Sequence, residues 1–114
     1  MVSKNKFVPS RGEIVWLNCN PQAGHEQMGR RPARFLSPAE YNMKTSLAIF
    51  FPITSKEKGY PFDVKINGNK IKGAVLSDQM KSLDWTIMQV EFVEEIEKTA
   101  LKEVEDNIKL LIIP

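Results

Sequence analysis

Three arginines fall within five residues, at Arg30, Arg31 and Arg34, and a glutamate, Glu26, stands just ahead of them. A guanidinium presents a rigid fork of donors that matches phosphate oxygens and keeps its charge at working pH. Crowding three of them beside one acid therefore points to a held phosphate, or else to an ordinary surface pair with Glu26. His25, the single histidine, is the natural proton shuttle near neutrality, but the sequence sets no second base beside it. Farther on, Thr54 and Ser55 offer hydroxyls next to Lys56 and Lys58. Hydroxyls interleaved with lysines make either a phosphate cradle or a simple turn.

Other chemistries find no footing. The sequence contains no P-loop, dinucleotide fingerprint, nucleophile elbow or carboxylate-rich metal cluster. One cysteine, Cys19, and one histidine are too few for a structural zinc site or an intrachain disulfide. Neither a cofactor nor a metal is expected. No apolar run is long enough to cross a bilayer and the N-terminus lacks a signal-peptide core, so the chain is expected in the cytoplasm, away from membranes. Charge is unevenly divided. The first 90 residues carry thirteen Lys and Arg against seven Asp and Glu, whereas residues 91–106 carry seven acids and two lysines. A basic body suits a polyanionic partner, or merely a solvated surface.

The elements that must position these groups are short. With 114 residues the chain makes one domain, 1–114, with one modest core. "EIVWLN" (Glu13–Asn18) has strand chemistry, as does "ARFLS" (33–37), opened by Pro32 and closed by Pro38. "LAIFFPIT" (Leu47–Thr54) reads as a central strand whose pairing ends or bulges at Pro52. "PFDVKI" and "KIKGAVLS" flank Asn67-Gly68, a two-residue hairpin signal. "WTIMQVEFV" (85–93) alternates as a last strand. A short helix is expected after the second strand, with Ser37 as N-cap, Pro38 at N1 and Glu40 at N3. A longer one is expected over Lys98–Ile112, where Leu101, Val104, Ile108, Leu111 and Ile112 form an apolar stripe. Trp16, Phe50, Phe51 and Phe62 are assigned to the core. Strand alternation sends Arg31 and Arg34 to opposite faces, so they are not expected to share one task. The fold class is mainly β (α+β): a small, strongly curved sheet or barrel with two helices.

The order of motifs carries a resemblance. "RGEIVWLNCNPQAGHEQMGRRPARFLSP" resembles the N-terminal signature of the MazF/PemK/Kid toxin family, in which a G-[DE]-[IV]-[IVW] strand precedes P-x-x-G-x-E-Q-x-G-x-R-P. Here the second motif is Pro21, Gly24, Glu26, Gln27, Gly29, Arg31 and Pro32. The similarity continues through "YNMKTSLAIFFPITSKEKGYPFDV" and "GAVLSDQMKSLDW", closest to the MazF branch. It implies an SH3-like curved-sheet barrel and a homodimer. The implied activity is a sequence-specific, metal-independent endoribonuclease toxin that cuts single-stranded RNA and is neutralised by a cognate antitoxin. DNA would be met only through the antitoxin complex.

By the same resemblance Arg31 and Thr54 fall on the family's catalytic arginine and threonine, and Glu26 on its loop glutamate. Gln79 and Asp78 fall on RNA-contacting positions, while Arg30, His25, Lys56 and Lys58 are taken as further RNA contacts. His25 and Arg34 depart from the residues relatives use there. The expected chemistry is attack by the substrate's 2′-hydroxyl, leaving a 2′,3′-cyclic phosphate and a 5′-hydroxyl. Either Glu26 or Arg31 accepts the proton; a guanidinium, which holds its own proton so firmly, is a poor base. Two rivals share the fold: a CcdB-type toxin that poisons gyrase without catalysis, and an SH3-like peptide-binding module. The first relies on a C-terminal aromatic, whereas this chain ends "KLLIIP"; the second leaves Glu26 and Arg31 without a purpose.

Overall fold

Seven antiparallel strands follow one another with two helices inserted, in a computed structural model that describes residues 7–18, 30–56 and 59–113. The strands are β1 (Glu13–Asn18), β2 (Arg30–Phe35), β3 (Leu47–Thr54), β4 (Asp63–Asn67), β5 (Lys72–Leu76), β6 (Lys81–Asp84) and β7 (Glu91–Glu95). Helix α1 (Ala39–Thr45) joins β2 to β3, and α2 (Lys98–Ile112) closes the chain. The order across the sheet is β4-β5-β3-β2-β1-β7, with β6 also pairing with β3. This is the curved α+β sheet expected from the sequence.

β3 organises the curl. Its first half pairs with β6 (Leu47↔Asp84 through Phe50↔Lys81) and its last two residues pair with β5 (Ile53↔Val75, Thr54↔Ala74). Pro52 sits at the handover, where its missing N–H costs no ladder bond. The sheet buries apolar side chains on both faces. One cluster gathers Ile14, Phe51, Ile53, Val64, Ile66, Val75, Val93, Ala100 and Val104 beneath α2. The other gathers Val15, Leu17, Ala33, Phe35, Ala48, Phe50 and Met88, with Phe35 stacked on Phe50 at 5.3 Å.

Several expectations are corrected. β2 begins at Arg30 and ends at Phe35, rather than spanning 33–37. Pro32 is tolerated inside it because β3 pairing starts only at Ala33↔Pro52, so Pro32 has β1 alone as a neighbour. Ser37 does not cap α1; Pro38 occupies the N-cap without a side-chain bond. The Ser37 hydroxyl is used inside, donating to Asn42 Oδ1 (2.5 Å) and accepting from the Ile49 N–H (2.9 Å). The β4–β5 reversal is not a two-residue turn at Asn67-Gly68. Asn67 pairs with Lys72, so 68–71 form a four-residue tip. Segment 85–93 is not one strand: Asp84 caps a 3₁₀ turn over Trp85–Ile87, accepting from Thr86 N–H, and β7 starts only at Glu91. On α2 the apolar stripe is buried at Ala100 and Val104 and half-buried at Leu101 and Ile108, but Leu111 and Ile112 are exposed because the helix outruns the core.

Candidate active site

The β2–β3 register places the central candidates. Phe35 lies opposite Phe50 and Ala33 opposite Pro52; Arg31 and Thr54 follow two residues beyond that last pair, each on its own strand, and line one cavity. Alternation then puts Arg31, Ala33 and Phe35 on the same face as Phe50, Pro52 and Thr54, beyond the end of the second apolar cluster. The apolar run therefore serves as a rigid mount whose last residues are polar.

Three adjoining cavities share these residues. One of about 630 Å³ is lined by Arg30, Arg31, Thr54, Ser55, Lys56, Lys70 and Lys72, among others. A second of about 440 Å³ is lined by Arg31, Pro52, Phe50, Gln79, Lys81 and Met88. A third of about 240 Å³ takes in Thr54, Lys56, Asp78 and Gln79. Arg31 bridges the first two, Thr54 and Lys56 the first and third, Gln79 the second and third. They form one groove, and of the candidates described, Arg30, Arg31, Thr54, Lys56, Asp78 and Gln79 all border it. His25, Glu26 and Lys58 lie outside the described residues.

Among the described residues the Arg31 side chain is exposed and makes no hydrogen bond or ion pair. Thr54 is pre-oriented: its Oγ1 accepts the Lys56 N–H at 3.1 Å, which leaves the hydroxyl proton to be donated into the groove. The backbone beneath it is tightly packed. A Cβ on Gly73 of β5 would fall 2.1 Å from the Thr54 carbonyl oxygen, and Gly73 has φ +149°, so only glycine lets β5 approach there.

The other two arginines are occupied differently. Arg30 pairs with Glu91 and lies over the Trp16 ring at 5.2 Å. Trp16, expected in the core, packs against it with one side and borders the large cavity with the other. Arg34 is fully buried, over Phe51 at 5.8 Å, with Glu105 of α2 at 4.0 Å. None of its three side-chain nitrogens has a hydrogen-bond partner. Burial lowers its pKa to about 10, with Glu105 opposing the fall and Arg11 adding to it. Alternation thus separates Arg31 and Arg34 as expected. Lys70, Lys72 and Lys81 also border the groove, although no motif in the sequence singles them out. Only the topology brings them there.

Residues 10–112 match the family described as PemK-like, MazF-like toxin of type II toxin-antitoxin system. The chain belongs to that family. The endoribonuclease toxin MazF of Escherichia coli K12 is 43% identical over 81 residues, which cover 71% of this chain and 73% of that one. The crystal structure of MazF (Form-I) from Deinococcus radiodurans superposes with a TM-score of 0.83 at 46% identity, covering 94% of this chain and 98% of the other. The MazE-MazF complex (Form-II) from the same organism gives 0.84 at 40% identity, covering 94% and 97%. The curled sheet of this chain is therefore the PemK/MazF fold. No helix among the described residues is long and apolar enough to cross a membrane.

Proposed function

We propose that this PemK/MazF-family chain is an endoribonuclease toxin that cuts single-stranded RNA at a short specific sequence, without a metal. The carrying observation is that Arg31 and Thr54, each two residues beyond the last β2–β3 pair, line the same cavity, with the guanidinium uncommitted among the described residues. In this reading the substrate's 2′-hydroxyl attacks the adjacent phosphorus. The bond to the 5′-oxygen breaks, that oxygen takes a proton, and a 2′,3′-cyclic phosphate and a 5′-hydroxyl result. Arg31 stabilises the charge gathering on the non-bridging oxygens, and Thr54 donates a further hydrogen bond to them. Either Glu26 or Arg31 takes the proton from the 2′-hydroxyl. No external nucleophile is needed, which is why a metal-bound water is not invoked. Arg30, Lys56, Asp78, Gln79, His25 and Lys58 are assigned to holding the RNA, Arg30 through a guanidinium it shares with Glu91.

The protein works as a homodimer and is restrained by a cognate antitoxin. The solved MazE-MazF complexes support that partner, and a basic body offers an acidic antitoxin segment complementary charge. DNA is reached only through that complex. The test is direct. Labelled single-stranded RNA in EDTA is expected to be cut by the wild type and spared by Arg31→Ala, and an all-DNA oligonucleotide of the same sequence is expected to bind without being cut. Cleavage of the DNA, or undiminished cutting by Arg31→Ala, sinks the mechanism.

A further inference from the structure

The large cavity has a second basic wall, supplied by the β4–β5 hairpin. Lys70 and Lys72 border it together with Arg31, Thr54 and Lys56, and no acidic residue is among its described lining. Both lysines are exposed and neither makes an ion pair among the described residues. Their carrier is not a loose tip. Glu94, from β7 at the other end of the sheet, accepts the N–H groups of Asn69 (3.0 Å), Lys70 (2.9 Å) and Ile71 (2.8 Å). Gly68 N–H closes the turn onto Ile71 O at 3.0 Å. A Cβ at Gly68 would fall 2.6 Å from Glu94 Oε2, so the glycine makes room for the carboxylate. Charge-assisted bonds to three successive amides hold a tip more firmly than a neutral turn does.

We propose that Lys70 and Lys72 grip phosphates of the RNA flanking the scissile linkage, and that Glu94 is the positioning residue that fixes the hairpin tip carrying them. The inference rests on the ribonuclease reading and extends its substrate contact to an element outside the motifs. An acidic protein segment would be drawn to the same lysines. RNA is favoured because Arg31 and Thr54 share their cavity, so a strand delivered to the one must pass the other.

The test compares Lys70→Ala/Lys72→Ala with Lys98→Ala/Lys109→Ala, which removes equal charge from α2. Turnover of an RNA with one cut site is measured between about 50 and 200 mM salt, and binding is followed with the same strand carrying 2′-deoxyribose at the scissile position. The hairpin pair is expected to raise KM and to reduce the slope of log affinity on log salt by about 1.4, roughly 0.7 for each phosphate of a single strand that is no longer neutralised. kcat at saturating RNA is expected to stay within about twofold, since no group at the reacting phosphate changes. Glu94→Gln is expected to raise KM in the wild type but to add nothing in the double-lysine background, which a general loss of stability would not mimic. An unchanged KM and slope overturn the proposal. So does weaker antitoxin binding with RNA affinity intact, which assigns the wall to a protein. Failure of the ribonuclease reading looks different: the wild type does not cut in EDTA, or Arg31→Ala cuts as well as it does.

Discussion

At the scale of single side chains, geometry separates three neighbouring arginines that composition treats alike. Arg30 is paired and stacked, Arg34 is sealed in the core, and Arg31 alone of the three is exposed with no partner among the described residues. If bidentate contact with phosphate is what Arg31 provides, lysine cannot replace it. Arg31→Lys is therefore expected to lower kcat by about 10² or more, and Thr54→Val by about 10², with fold and RNA affinity retained; single-turnover cleavage reads both. Near-full activity in Arg31→Lys would remove the requirement for a fork of donors. The separation of Arg31 from Arg34 was legible in the sequence because alternation carried back from the strand expected at 33–37 reaches Arg31 in the right phase, although the strand itself starts at Arg30. The engagement of Arg30 was not, since Glu91 and Trp16 come from other strands, and neither spacing nor residue type announces that meeting.

Among the elements, the join between β2 and α2 depends on one carboxylate. Glu105 bonds Arg11 at 2.6 Å and stands 4.0 Å from the buried Arg34. With three nitrogens unsatisfied, Arg34 is held charged at a cost of about 3 kcal/mol, judged from a pKa lowered to about 10. Replacing it by an apolar side chain of similar length removes that cost. Arg34→Met is expected to be neutral or stabilising by up to about 3 kcal/mol, whereas Glu105→Ala, which strands Arg34 without a counter-charge, is expected to cost about 1–3 kcal/mol. Urea midpoints at pH 7 measure both. β1 was legible from its β-branched and aromatic content, β3 from its nearly continuous apolar run and α2 from apolar residues at helical spacing. β6 was not, because "KSLD" is an exposed polar strand with no buried face to alternate against. The strand expected over 85–93 failed for a related reason. Its alternation is real, but Asp84 caps a turn there, the Trp85 indole donates to Asn42 O at 2.8 Å, and Gln89 takes φ +50°.

For the whole molecule, Glu94 ties the end of the curled sheet on β7 to the tip of β4–β5. Burial works against its ionisation, but the amides of Ile71, Lys70 and Asn69, with the Lys70 charge, outweigh burial and hold its pKa below the ordinary 4.5. The folded state thus binds this proton less readily than the unfolded chain. Its stabilisation is present above about pH 4.5 and is lost as pH falls through the lowered folded value. Glu94→Gln is expected to be less stable than the wild type at pH 7 by about 1–3 kcal/mol, a gap that closes in acid below the usual carboxylate range. Glu13 has the opposite sign, since burial and Glu95 raise its pKa against the pull of the Ser10 N–H. The difference between the two proteins, taken from urea midpoints across pH 2–7 or so, isolates Glu94. A gap that stays constant into acid would mean that its charge contributes nothing.

Gly73 does no chemistry, yet it governs the position of Thr54, to which the proposed mechanism gives a hydrogen bond on the reacting phosphate. Because its bare Cα is all that the Thr54 carbonyl tolerates, the smallest possible enlargement there must push the end of β3 aside, dragging the threonine with it. A toxic gene could thus be disarmed by one methyl group placed behind its blade, leaving the cutting face, and whatever a neutralising partner recognises on it, chemically untouched.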